Sequence, residues 1–282
     1  MKKEIIVISV LCLLLAFCTL VQPAQAEGTS HAEEIGDAEL AKELSNPIAD
    51  LITIPIQMNY DSDIGPSDDG WKLTTNIQPV IPFDLTEDWD LITRTIMPVI
   101  SQDDIFSGAG SQFGLGDINM SLFFTPEEPT SGGVTWGVGP VLLLPTATDD
   151  LLGAKKWCAG PGAIVVAPRG PWVLGFLANH VWSYAGDSDR PYVSNTFAQP
   201  FVTYTWPNAY TVSLQTETTY KWNTEKWSVP INAAVSKLVR WGKIPVSLQA
   251  GVGYWLESPK TAPEGFRFRL QANFVLPKSL FR

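Results

Sequence analysis

The polarity of the chain alternates with a period of two. Between residues 266 and 276 one parity reads Phe266, Phe268, Leu270, Ala272, Phe274, Leu276, and the other reads Arg267, Arg269, Gln271, Asn273. Successive side chains of a strand point to opposite faces, so this is an amphipathic strand whose apolar face has no polar member. The alternation recurs along the chain. In 51–60, Ile52, Ile54, Ile56, Met58 and Tyr60 oppose Thr53, Gln57 and Asn59. In 71–82, Leu73, Ile77 and Ile81 oppose Lys72, Thr74, Asn76 and Gln78. Comparable segments are 91–100, 117–125, 134–144, 156–167, 172–184, 193–205, 211–221, 226–238 and 244–256, which makes about twelve strands. In 156–167 the glycine-rich apolar run leaves the two faces undistinguished.

An even number of strands, each of about ten residues, matches a transmembrane antiparallel up-and-down β-barrel. Alternation alone also suits a soluble antiparallel sheet with one buried face. Tryptophan separates the two. Trp71, Trp157, Trp182, Trp222, Trp227 and Trp255 fall near one set of strand ends, and Trp89, Trp136, Trp172, Trp206 and Trp241 near the other. Indole rings favour the two membrane interfaces, so these eleven are the expected girdle. A soluble sandwich would place several at strand centres. Pro79, Pro98, Pro140, Pro161, Pro200, Pro230 and Pro245 strain the reading, because proline cannot donate to a ladder and a closed barrel has no edge to hide it on. Bulges are the expected remedy.

The ends of the chain set the address. Met1-Lys2-Lys3 precedes an apolar run from Ile5 to Val21, and Ala24-Gln25-Ala26 follows it. That is the pattern of a secretory signal peptide over 1–26. Residues 27–50 carry the one helical pattern, with Ala38, Ala41, Leu44 and Ile48 at spacings of three and four and Asp37 as a cap. This periplasmic segment leads into, braces or plugs a barrel over 51–282. The formal charge is −10. Removing Lys2, Lys3 and Glu4 takes it to −11, which argues against nucleic acid as a partner. Cys12 and Cys18 leave with the signal, so Cys158 remains alone, a small filler with no disulfide partner.

Four motifs carry a family likeness: Asn76-Ile77-Gln78-Pro79-Val80-Ile81-Pro82-Phe83, the 94–100 strand, Gly137-Val138-Gly139-Pro140 leading to Leu144-Pro145-Thr146-Ala147-Thr148, and Leu177-Ala178-Asn179-His180 followed by Trp182. With them the mature chain resembles the bacterial outer-membrane barrels labelled MetA-pathway of phenol degradation. The resemblance implies an outer-membrane barrel and a channel for small organic compounds. It assigns no functional residues.

If the apolar faces meet lipid, the polar faces line a lumen. Its candidates are Lys72, Arg94, Asp117, Asn179, Glu217, Arg267 and Arg269, with Asn232, Gln249 and Asn273. Charges of both signs would either form a selective constriction or pair to hold the interior, with Glu217 and an arginine as the leading pair. His180, Ser183 and the acidic stretch 187–189 are close in sequence, but they make a weak catalytic set, and no cofactor or metal cluster is indicated. The acidic outer loops read as solvated charge, with cation bridges to lipopolysaccharide as the alternative. The expected partners are outer-membrane lipid, lipopolysaccharide and a small solute. A plugged, non-transporting barrel is the competing function.

Overall fold

The computed structural model describes residues 36–260 and 262–277. The signal-peptide reading and the extreme C-terminus lie outside these residues. A short helix, α1 (Asp37–Glu43), precedes twelve strands. They are β1 (Ile52–Ile64), β2 (Gly70–Ile77 and Val80–Asp84), β3 (Trp89–Asp103) and β4 (Ser111–Leu115 and Ile118–Pro126). Next come β5 (Thr135–Leu144), β6 (Lys156–Arg169), β7 (Trp172–Gly186) and β8 (Ser194–Thr205). The last four are β9 (Tyr210–Thr216 and Thr218–Lys221), β10 (Lys226–Trp241), β11 (Ile244–Glu257) and β12 (Phe266–Leu276). Each strand pairs antiparallel with its sequence neighbours. β12 pairs with β1 from Ile52↔Leu276 to Asp61↔Arg267, so the barrel closes without an edge.

Three strands are each broken once, and the prolines explain the breaks. The two pieces of β2 are separated at Gln78-Pro79. The pieces of β4 separate at Gly116-Asp117, where the Gly116 amide donates to the Pro98 carbonyl at 2.8 Å. Between β4 and β5 the pairing lapses from Ser121↔Val141 to Phe124↔Val138, where Pro140 sits. Between β6 and β7 it lapses from Ala159↔Trp182 to Gly162↔Asn179, at Pro161. The break in β9 at Glu217 lies beside Pro200 of β8 and Pro230 of β10. A missing N–H leaves a ladder gap rather than a broken barrel. β3 also runs on to Asp103 and β4 begins at Ser111, so the gap left between the expected strand segments 91–100 and 117–125 shrinks to a loop over 104–110.

The outward face is the apolar one. Val138, Val165, Leu174, Phe176, Val212, Leu214, Val235, Val252 and Phe268 are all exposed. Inward positions are polar along β9 to β12, β1 and the first piece of β2. Along β3 to β8 many are apolar: Ile92, Phe123, Ile164, Val166, Val173 and Leu177 form a buried cluster joined by Phe197 and Phe201. The interior is therefore half packed core and half polar lumen. Gly175 shows how tightly that core is set, since a Cβ there would stand 2.1 Å from the ring of Phe201.

The N-terminal segment enters the barrel. Leu40 and Ala41 of α1 bury against Ala209 and Leu238. Ile48 joins the apolar cluster on the opposite wall. Asp37 does not cap α1. Gly36 holds the N-cap position, and the Asp37 carboxylate accepts from Nε (3.1 Å) and Nη2 (2.8 Å) of Arg240 on β10.

Candidate functional site

The polar half of the lumen is organised by Glu217. The break in β9 lets its carboxylate reach two arginines of β12, accepting from Arg269 Nη2 at 2.8 Å and from Arg267 Nη1 at 3.3 Å. Arg267 also grips Asp61 of β1, Nε to Oδ1 at 2.8 Å and Nη2 to Oδ2 at 3.0 Å. Arg269 donates from Nε to Asn59 at 2.7 Å. β11 makes room for these guanidinium groups with glycines, Gly251 opposite Arg269 and Gly253 opposite Arg267. A Cβ on Gly253 would meet Asn232 Oδ1 at 2.4 Å.

Arg94 on β3 stands apart from these pairs. Its Nη2 donates to Gln78 at 2.9 Å. Among the described residues it makes no ion pair within 4 Å, although it feels the Glu217 charge. Lys72 faces Asp61 in register on the inward side of β2. Lys221 continues the inward parity of β9. Around this cluster Lys72, Arg94, Lys221, Arg267 and Arg269 thus face Asp61 and Glu217.

Below the Glu217 cluster lies a cavity of about 200 Å³. Arg94, Glu217 and Arg269 line one side, and Leu44, Ser45 and Asn46 of the N-terminal segment line another. Gln199, Thr203, Gln215, Asn232, Gln249, Gln271 and Asn273 complete its polar wall, and Val80, Phe201 and Leu51 give it an apolar one.

Two expected lumen residues behave otherwise. Asp117 is an anchor: Oδ1 accepts from the Ala147 amide (3.2 Å) and Oδ2 from the Ala154 amide (2.6 Å), fastening the 145–155 loop. Asn179 is inward on β7 but sits between Gly162 and Phe197 and does not line the cavity. Among the expected girdle, Trp255 departs. It points inward, donates from Nε1 to Asp61 at 2.8 Å and lies 4.5 Å beneath the Arg267 guanidinium. Its partners are 194 and 12 residues away; the strand-end position hid this, although Trp255 shares the parity of the inward Gly251 and Gly253. The other ten tryptophans sit on the outside or at the rims, several in edge-to-face groups such as Trp89–Trp136 and Trp172–Tyr204–Trp206. His180 and Ser183 lie on opposite faces. Ser183 is buried inside, while His180 contacts outward Thr196 (2.8 Å) and packs beside Trp182 and Trp222. The catalytic grouping suggested by their proximity in sequence therefore does not assemble.

A closed barrel with an apolar outer face, aromatic rims and a polar interior half defines a transmembrane β-barrel of the outer-membrane type. The chain is similar to an outer membrane channel from Pseudomonas putida F1, with a TM-score of 0.63 and 16% identity over 80% of this chain and 96% of that one. More distant likenesses are the KdgM porin in complex with disordered oligogalacturonate (TM-score 0.46, 10% identity, 80% and 100% covered) and outer membrane phospholipase A from Escherichia coli (TM-score 0.48, 13% identity, 86% and 98% covered). No family model and no curated protein matches the chain. At these identities the likeness is one of fold.

Proposed function

We propose that this chain is an outer-membrane channel that passes small solutes by passive diffusion. The observation that carries the reading is a polar-walled cavity inside a closed barrel whose outer face is apolar. Such a lumen selects by its width and by the charges at its constriction, here the Asp61, Glu217, Arg267 and Arg269 network. The apolar wall at Phe201, Val80 and Leu51 suits small organic, including aromatic, solutes, which is also what the family resemblance implies. In this reading the lipid-facing partners are outer-membrane lipid and lipopolysaccharide, and the protein is a conduit rather than a catalyst.

A plugged barrel with a structural or surface-binding role is the second reading. Full burial of Leu40 and Ile48 within the barrel favours it. Single-channel conductance of the refolded chain in a planar bilayer separates the two. Discrete openings establish the channel. Stable insertion with heat-modifiable mobility but no conductance leaves the plugged barrel.

A further inference from the structure

We propose that the lumen cavity binds a small amphipathic carboxylate, with the Arg94 guanidinium as counter-ion and Asn232 and Thr203 as polar contacts, a reading that rests on the channel role above. Three independent features of the cavity converge on this chemistry.

The first is an underused cation. A guanidinium carries five N–H donors in a fixed fork. Arg267 and Arg269 spend theirs on Asp61, Glu217 and Asn59. Arg94, lining the same cavity, has one hydrogen bond, to a neutral amide. An interior guanidinium without an anion in contact is unfavourable, and a carboxylate matches its fork with two parallel bonds.

The second is a set of orphaned polar atoms. Asn232 is 4% exposed, yet neither its Nδ2 nor its Oδ1 has a partner. Thr203 Oγ1 is likewise unpaired, in a residue 7% exposed. Buried polar atoms are nearly always satisfied. Asn232 comes from β10 and Thr203 from β8, and through Ser213 of β9 and Ala234 of β10 they stand two positions apart in register at one cavity, so a shared ligand explains both. Water can fill such a space, and a solute that displaces it must reproduce its bonds.

The third is the apolar lining, where Val80, paired in register with Arg94, and Phe201, Leu44 and Leu51 offer a surface to an apolar body. A volume of about 200 Å³ is below that of pockets for drug-sized ligands, which suits a single-ring or short-chain acid. A neutral sugar would satisfy the amides but leave Arg94 alone.

The test is calorimetric titration of benzoate, and of its neutral analogue benzamide, into the refolded chain. The same titrations are run on Arg94→Gln and Asn232→Leu, with heat-modifiable mobility as the check on folding. Benzoate is expected to bind at least tenfold more tightly than benzamide. Arg94→Gln is expected to erase that preference. Asn232→Leu replaces an unpaired amide with an apolar group of similar size, so it should fold and bind benzoate more weakly. Equal binding of the two ligands, no benzoate binding, or a preference that survives Arg94→Gln would overturn the proposal. Conductance of the same preparation separates the failures: binding without conductance keeps the site and removes the channel, and conductance without binding does the reverse.

Discussion

Asp61 and Arg267 are directly opposed in the register of β1 and β12, and their two-point ion pair stitches the seam where the first and last strands close the barrel. Both side chains are buried, at 4% and 11% exposure, and the Trp255 ring covers the guanidinium. Removing one partner of such a pair leaves an uncompensated interior charge, at a cost of about 3–5 kcal/mol. Asp61→Asn and Arg267→Gln should each lower the urea midpoint for unfolding of the reconstituted barrel. The double variant should lose less than the sum of the two. Strict additivity in that cycle would show that the pair does not couple.

Glu217 owes its reach to two prolines. With no N–H from Pro200 or Pro230, the ladder lapses on both sides of β9, and the carboxylate leans into the lumen towards Arg267 and Arg269. With five cations against two carboxylates around this cluster, an open lumen should favour anions at this level. Glu217→Gln removes one of those carboxylates, so the reversal potential in a salt gradient should move further towards that of the anion. A shift towards the cation, or none, would remove Glu217 from the permeation path.

This pairing shows what local pattern can reveal. The inward parity of Arg267, Arg269 and Glu217 follows from alternation, and so does the strand count, because a period of two survives any register. The gaps do not follow, since a proline says that a donor is missing and not which neighbour loses it. Trp255 reads as one more strand-end indole by position, although its parity is that of the inward Gly251 and Gly253 and it pairs with Pro230 at the β10–β11 bulge. The apolar half of the lumen was hidden for a different reason. In β6 and β7 both faces are apolar, so hydrophobicity distinguishes lipid from core only where the other face is polar.

The N-terminal segment is held by packing more than by charge. The Asp37–Arg240 pair is partly exposed, and such pairs contribute about 0–1 kcal/mol. Leu40 is fully buried against Ala209 and Leu238, and truncating a buried leucine to alanine costs about 2–5 kcal/mol. Asp37→Ala should therefore leave single-channel conductance nearly unchanged. Leu40→Asp should release α1 from the lumen and raise it. Equal conductance in wild type and Leu40→Asp would show that the segment does not obstruct permeation.

Asp117 supplies a test that needs no open channel. Its carboxylate accepts from the amides of Ala147 and Ala154, at both ends of the 145–155 loop, and Gly153 packs so closely that a Cβ there would lie 2.4 Å from Asp117 Oδ1. The loop also carries the Lys155–Asp150 bridge of 2.6 Å, and the hydrogen bond from Lys155 holds the Asp150 carboxyl below its ordinary range. A carboxyl lowered in the folded state contributes only above that pKa, so the bridge persists at neutral pH and fades as pH falls through the lowered value. The bridge is exposed, whereas the two amide bonds to Asp117 are partly buried, so the anchor dominates. Asp117→Ala should free the loop while the strands stay paired. Trypsin should then cut after Lys155 or Lys156 in the folded variant within minutes and leave the wild-type loop intact. Lowering the pH alone should produce no comparable cleavage with an acid-active protease. Equal resistance of Asp117→Ala and wild type would mean that the loop is held by Leu152 and its neighbours rather than by the carboxylate.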